Sequence, residues 1–207
     1  MRFLSSIFIG LVLFQLHGHR NVCAEGARPN ILWIYAEDLS PWLGCYGDVV
    51  NQGATPHIDS IARQGVLFER AFAPAPVCSA TRSALIVGQS AIRFGAHQHR
   101  SSRKGTPIYL PDGYDLLPEL MQEAGYTTFN YGKADYNFIW DQSAYSVALS
   151  SPTDFEALVD QQPFFGQIQT KGGKTNTARF PAERRVSAEE VAVPADYPDD
   201  SVFREVV

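Results

Sequence analysis

Along the chain, apolar and polar positions alternate between two periods. PNILWIYA, Pro29–Ala36, is a continuous apolar run bounded by Pro29 and by the acids Glu37 and Asp38. Such a run reads as a buried, parallel and central strand. TPHIDSIARQG follows, with Thr55 as N-cap, Pro56 in the first helical position and Gly65 as the stop. Ile58, Ile61 and Ala62 share one face of this short helix. VLFERAFA, Val66–Ala73, is expected to be a strand.

Helical spacing returns over Ser79–Val87, with Cys78 at the N-terminal end and Gly88 closing it. The polar, basic stretch Arg93–Gly105 reads as a loop. DLLPELMQEAG, Asp115–Gly125, predicts a helix with Pro118 in its first turn, where proline is tolerated. YTTFNYG, Tyr126–Gly132, predicts a strand that runs directly into Lys133. Beyond Ser143 the pattern weakens. Gln162–Thr170 reads as a further strand, Phe180–Pro198 as a connecting segment, and Asp200 or Ser201 as the cap of a helix that has no stop signal before Val207.

Strand and helix in alternation predict an α/β layer fold with a mostly parallel sheet flanked by helices. Ligands of such sheets sit at the carboxyl ends of the strands. Glu37, Asp38 and Lys133 fall at those ends and Cys78 at a helix N-terminus, so one edge of the fold gathers the reactive groups.

Composition narrows the class. The 207 residues carry a formal charge of −5, with 45% apolar and 19% charged residues, as in a folded domain. The acidic balance excludes the basic face that nucleic-acid binding requires. Residues 1–24 have Arg2, an apolar run from Phe3 to Phe14, and small Ala24 two positions after Val22. That is the layout of a secretory signal peptide. The run is shorter than the roughly 20 residues a membrane span requires. The expectation is export, secreted or periplasmic, without stable membrane insertion. Of three cysteines, Cys45 and Cys78 lie beyond residue 24, and in an exported protein they could form a disulfide.

The stretch PVCSATRSAL, Pro76–Leu85, holds the candidate chemistry. A helix N-terminus presents unpaired N–H groups and the positive end of a dipole. Arg82, four residues after Cys78, points along the same face. Dipole, amides and a permanent cation form an anion-binding corner suited to a sulfate or phosphate ester. His97, His99, Arg100, Arg103 and Lys104 follow as a basic cluster. Its bland reading is a solvated loop; its functional reading is a lip that attracts an anionic substrate, with His99 and Arg100 as the candidates.

CSATR, Cys78–Arg82, resembles the sulfatase signature of Cys or Ser, any residue, Pro or Ala, any residue, Arg. RPNILWIYAEDLSPWLGCYG, TPHIDSIARQGVLFERAFAPAPVCSATRSALIVG and AGYTTFNYGKADYNF are similar, in that order, to further blocks of the same family. The likeness is strong from Arg28 to about Asn137 and weaker beyond.

The resemblance implies an alkaline-phosphatase-like fold and sulfate-ester hydrolysis on a small molecule or glycan. It implies that a formylglycine-generating maturase oxidises Cys78 to formylglycine, whose hydrated form attacks sulfur. Ser79, Ala80 and Thr81 then fit a segment that the maturase reads. Glu37 and Asp38 match an acidic pair that, with residue 78, ligates Ca²⁺ or Mg²⁺. Arg82 and Lys133 match residues that stabilise the nucleophile and the developing charge.

Three departures stand out: Glu37 in place of Asp, Ala80 in place of Pro, and Asp135 where many members carry His. The resemblance also implies a second acidic pair and further catalytic residues after Val207. Residues 28–207 then read as the N-terminal portion of a catalytic domain, with a half-built metal site and no expected activity of its own. Two other readings stay open: a phosphonate or phosphodiester hydrolase on the same scaffold, and a non-catalytic remnant.

Overall fold

The computed structural model describes residues 28–206, apart from residues 50, 152, 155, 171–182, 184–185 and 194–196. The signal-peptide reading of residues 1–24 therefore lies outside the described residues, as does part of the connecting segment.

Three parallel strands form the sheet: β1 (Ile31–Ala36), β2 (Thr127–Tyr131) and β3 (Phe164–Thr170), in the order β1-β3-β2. Between β1 and β2 come α1 (Pro56–Gln64), α2 (Cys78–Val87), a four-residue turn of helix α3 (Ser101–Lys104) and α4 (Leu117–Glu123); α5 (Ser201–Val206) follows β3. The expected parallel α/β layer is present.

β3 holds the centre because it inserts between the other two. Ile31 pairs with Phe165 on one side and Thr128 with Phe165 on the other. Gly166 makes this possible. A Cβ there would lie 2.0 Å from the ring of Phe129, which is fully buried on the neighbouring strand. On that face Phe129, Ile168 and Leu158 form one cluster. A second cluster joins the inner side of α2 (Ala84, Ile86) to Phe94, Leu116, Tyr136 and Phe138.

Three expectations change. β1 is parallel but lies at the edge of the described sheet. Its residues alternate, with Trp33 and Tyr35 half-buried and Leu32 and Ile34 exposed. On the face bearing Tyr35 and Gln169, Arg82 of α2 packs over the Tyr35 ring at 5.5 Å and donates to Gln169 Oε1. An unbroken apolar run does not itself say which face is covered.

Second, Val66–Ala73 is not a strand; it is irregular chain with a turn at Glu69–Arg70. Strand-forming side chains need a paired neighbour, and no described strand lies beside it. Third, the basic stretch after α2 is not all loop, since a 3₁₀ turn at Ala91–Phe94 and α3 punctuate it.

The helix boundaries follow the signals read above. Gly88 ends α2 in a left-handed conformation at φ 67° and accounts for its stop. Asp200 caps α5 by accepting from the N–H groups of Val202 and Phe203, both at 3.0 Å. Ile58 and Ile61 do share a face of α1, but both are exposed.

Candidate active site

Cys78 opens α2 at the carboxyl end of the sheet. Val77 precedes it in extended conformation, and no side chain caps the helix. Its first amides therefore stay available to an anion. One turn on, Arg82 is buried. It donates to the Lys133 carbonyl at 3.0 Å and to Gln169 Oε1, and its guanidinium lies 3.8 Å from Glu37 Oε2.

Lys133 arrives from the other side. Gly132 turns the chain off β2 at φ 94°, where a Cβ would meet the Gln169 side chain at 3.0 Å. That turn swings the ammonium of Lys133 onto Glu37, to within 3.3 Å of Cys78 Sγ and 3.1 Å of Asp135 Oδ2. Residues up to 96 positions apart thus converge on one edge, as the topology predicts: Glu37, Cys78, Arg82 and Lys133.

The charges support one another. Burial pushes the Glu37 carboxyl up, but the hydrogen bond and charge of Lys133 and the charge of Arg82 outweigh it and hold the group below the usual carboxylate value. Burial likewise lowers Lys133, but hydrogen bonds with Glu37, Asp135 and Cys78 prevail and raise it. Both groups are held in their ionised forms.

The remaining candidates divide. Asp38 follows Glu37 in a left-handed conformation at φ 52° and is exposed. Arg100 joins the site, with Nε 3.6 Å from Asp135 Oδ1 and its backbone N–H 3.1 Å from Ser79 Oγ. His99 is exposed and lies beside this network rather than in it. Cys45 and Cys78 are both free thiols, so the disulfide alternative does not hold. Among the described residues no group of three or more His, Cys, Asp or Glu side chains forms a metal-binding cluster.

Sequence reasoning missed several supporting residues. Ser79 and Ser83 are fully buried on the inner side of α2. Ser83 Oγ donates to the Ser79 carbonyl and accepts from the Asn137 N–H at 2.8 Å. The Asn137 amide donates to the carbonyls of Ala96 and Gln98, which carries the chain to His99 and Arg100. Gln169 accepts from Arg82 and donates to Asn130 Oδ1 at 3.0 Å. A trace of the last was legible: Phe165, Gln167 and Gln169 alternate, which places all three on one face of β3.

The fold and the site define a class: a parallel α/β layer, part of the alkaline-phosphatase-like fold, with Cys78, Arg82 and Lys133 gathered at its carboxyl edge. The family model for sulfatases matches residues 29–206, and the chain belongs to the sulfatase family. It is 31% identical to the ulvan-active sulfatase of Formosa agariphila over 150 residues, 67% of this chain and 24% of that protein. It is 37% identical to human N-acetylgalactosamine-6-sulfatase over 120 residues, 53% of this chain and 22% of that one. The chain thus spans about a quarter of the length of these curated relatives.

Among solved structures, a Bacteroides thetaiotaomicron protein assigned to the sulfatases superposes with a TM-score of 0.56 at 24% identity, covering 69% of this chain and 35% of that one. A 2-O GAG sulfatase superposes with a TM-score of 0.51 at 23% identity, covering 70% of this chain and 35% of that one. Among the described residues no helix is long and apolar enough to cross a membrane.

Proposed function

We propose that the complete protein carrying this sequence hydrolyses sulfate esters, with residue 78 as the site of the nucleophile. The single observation that carries this reading is the setting of Cys78. Its Sγ lies 3.3 Å from the Lys133 ammonium and 3.7 Å from an Asp135 oxygen, at an uncapped helix N-terminus. An inert structural thiol prefers apolar company. A polar substituent at this Cβ, such as the two hydroxyls of hydrated formylglycine, fits the donors and acceptors already present. Formylglycine would supply a hydrated aldehyde hydroxyl as nucleophile.

Each residue then has a task. The first amides of α2 and Arg82 draw the sulfate group into the corner and fix its orientation. The Lys133 ammonium faces residue 78 and offsets negative charge as it builds on sulfate oxygens in the transition state. Arg100 and His99, at the rim, attract the anionic substrate.

Glu37 is a charged, hard-oxygen donor at the end of β1, and with Asp38 it fits part of a Ca²⁺ or Mg²⁺ shell. Such a cation would act as a Lewis acid on a sulfate oxygen. Its remaining ligands are expected from the wider domain of which residues 28–207 form the N-terminal portion.

The relatives include an ulvan-active sulfatase and N-acetylgalactosamine-6-sulfatases as well as a steryl-sulfatase; of these classes we favour sulfated carbohydrate, after the ulvan-active relative that matches 67% of this chain. Ser79 and Ala80 are fully buried in the folded chain, so a maturase would meet this stretch before the fold closes. Export through residues 1–24 agrees with a carbohydrate substrate outside the cell.

The test is peptide mass spectrometry across residue 78 in protein from its native host, together with rates on aryl sulfate and aryl phosphonate esters. The reading expects an aldehyde at 78 and faster sulfate hydrolysis. An unmodified thiol throughout removes it, and faster phosphonate hydrolysis assigns the corner to phosphorus.

A further inference from the structure

We propose that Asp135 is a positioning residue, a single buried carboxylate that holds both Lys133 and Arg100 in the anion corner. For its kinetic consequences the proposal rests on the sulfate-ester reading given above.

The Asp135 side chain is 2% exposed. One of its oxygens lies 3.1 Å from Lys133 Nζ and 3.7 Å from Cys78 Sγ; the other lies 3.6 Å from Arg100 Nε. The carboxylate therefore bridges the cation beside Cys78 and the cation at the rim of the site. Arg100 Nε is fully buried, while the side chain as a whole is 43% exposed. Nε makes no hydrogen bond among the described residues, so the Asp135 carboxylate holds it by charge, as an ion pair at 3.6 Å.

The backbone agrees. Among the described residues, the non-glycine positions with left-handed φ are Asp38, Arg100 and Asp135, at 52°, 51° and 52°. All three belong to this edge. Aspartate tolerates that region, but for arginine it is uncommon and unfavourable. Such conformations persist where surroundings over-determine them, and they cluster at functional sites. For Arg100 the surroundings are the Ser79 hydroxyl on its N–H and the Asp135 carboxylate on its side chain.

The arrangement has a purpose that Glu37 alone cannot serve. Lys133 is shared between Glu37 and Asp135. A divalent cation drawn to Glu37 would repel the ammonium, because like charges a few ångströms apart disfavour each other. Asp135, buried and in contact with both Lys133 and Cys78, is placed to keep the ammonium beside residue 78 when that happens. It also draws Arg100 inward against the mutual repulsion of the two cations.

The test uses the complete protein. In Asp135→Asn, crystallography is expected to find Lys133 Nζ out of contact with residue 78 and Arg100 turned to solvent. For sulfate-ester turnover, kcat is expected to fall about 10- to 100-fold, the scale of a small misplacement of catalytic groups. A double-mutant cycle separates positioning from bulk stability: in a Lys133→Ala background, Asp135→Asn is expected to cost less than in the wild type, leaving the share that acts through Arg100.

Lys133 and Arg100 unmoved in the variant, or fully additive losses, would overturn the proposal. If the asparagine variant does not fold, Asp135→Glu takes its place. Its longer arm keeps the charge, and the expected result is a folded protein with displaced cations and a reduced kcat; unchanged cations and kcat would overturn the proposal. If the wild-type protein hydrolyses no sulfate ester, the functional reading fails, while the crystallographic outcome still decides the role of Asp135.

Discussion

Lys133 and Glu37, 96 residues apart in the chain, form an ion pair across the carboxyl edge of the sheet. The pair sets two effects against each other. Lys133 is placed to offset charge beside residue 78, and it also covers the carboxylate that suits a divalent cation. Removing the ammonium therefore affects catalysis and cation binding in opposite directions. Lys133→Met in the complete protein should lower kcat about 100-fold and tighten Ca²⁺ binding about 10-fold, roughly the 1.4 kcal/mol expected for lifting one nearby like charge in a partly solvated site. Calorimetric Ca²⁺ titration of both proteins checks it. Weaker Ca²⁺ binding in the variant would mean that Lys133 organises Glu37 rather than competing for it.

A packing prediction comes from β3. The Gly166 Cα faces the ring of Phe129, and an added Cβ would sit 2.0 Å from it. The ring is fully buried and cannot swing into solvent. Gly166→Ala should destabilise by about 1–3 kcal/mol, the usual cost of overpacking. Phe129→Ala alone should cost about 3–5 kcal/mol. The double variant should cost clearly less than the two together, because the methyl group enters space the ring has left. Urea denaturation of the four proteins measures the coupling, and strict additivity would contradict it.

These two cases mark what the sequence could and could not reveal. The edge was legible because its signals are local and chemically loud. Acids end an apolar run, a lysine follows a Gly-terminated strand, and a cysteine opens a helix that Gly88 closes. The sheet order was not legible. The stretch Gln162–Thr170 gave a weak pattern because β3 carries Gly166 and Gln167 among its buried residues, with Gln169 half-buried. Its central place follows from Phe129 filling the gap over Gly166, a contact 37 residues away in sequence. Val66–Ala73 misled in the opposite sense: strand-forming side chains do not make a strand without a partner. Ser83 and Asn137 were silent because a buried serine or amide looks in sequence like a surface one.

Those silent residues lead to a third prediction. The Asn137 amide closes the segment between α2 and Arg100 by donating to the carbonyls of Ala96 at 2.8 Å and Gln98 at 2.6 Å. Asn137→Ala leaves two carbonyls without those donors, one of them on the fully buried Ala96. The expected loss is about 1–3 kcal/mol, along with a higher KM for anionic substrate because Arg100 loses its support. Denaturation midpoints and steady-state kinetics test the two parts separately. A stability loss with KM unchanged would confine Asn137 to the core.

Alkaline pH should expose the tyrosine cluster beneath the site. Tyr136 is buried, and its hydroxyl lies 2.7 Å from that of Tyr145. Burial pushes its pKa up to about 12, against the pull of the Tyr145 hydrogen bond and the Arg82 charge. Burial pushes Tyr145 further in the same direction. Below about pH 10 a tyrosine is protonated in both folded and unfolded chains, and stability is unaffected. Above it the unfolded chain releases its proton first, so the folded state binds more protons and stability falls as pH rises. For Tyr136 the fall runs from about pH 10 to about pH 12 and approaches about 2–3 kcal/mol. In Tyr136→Phe that contribution is gone. Urea denaturation across this range should therefore give a shallower decline for the variant than for the wild type, and parallel curves would mean that Tyr136 ionises in the folded protein as readily as in water.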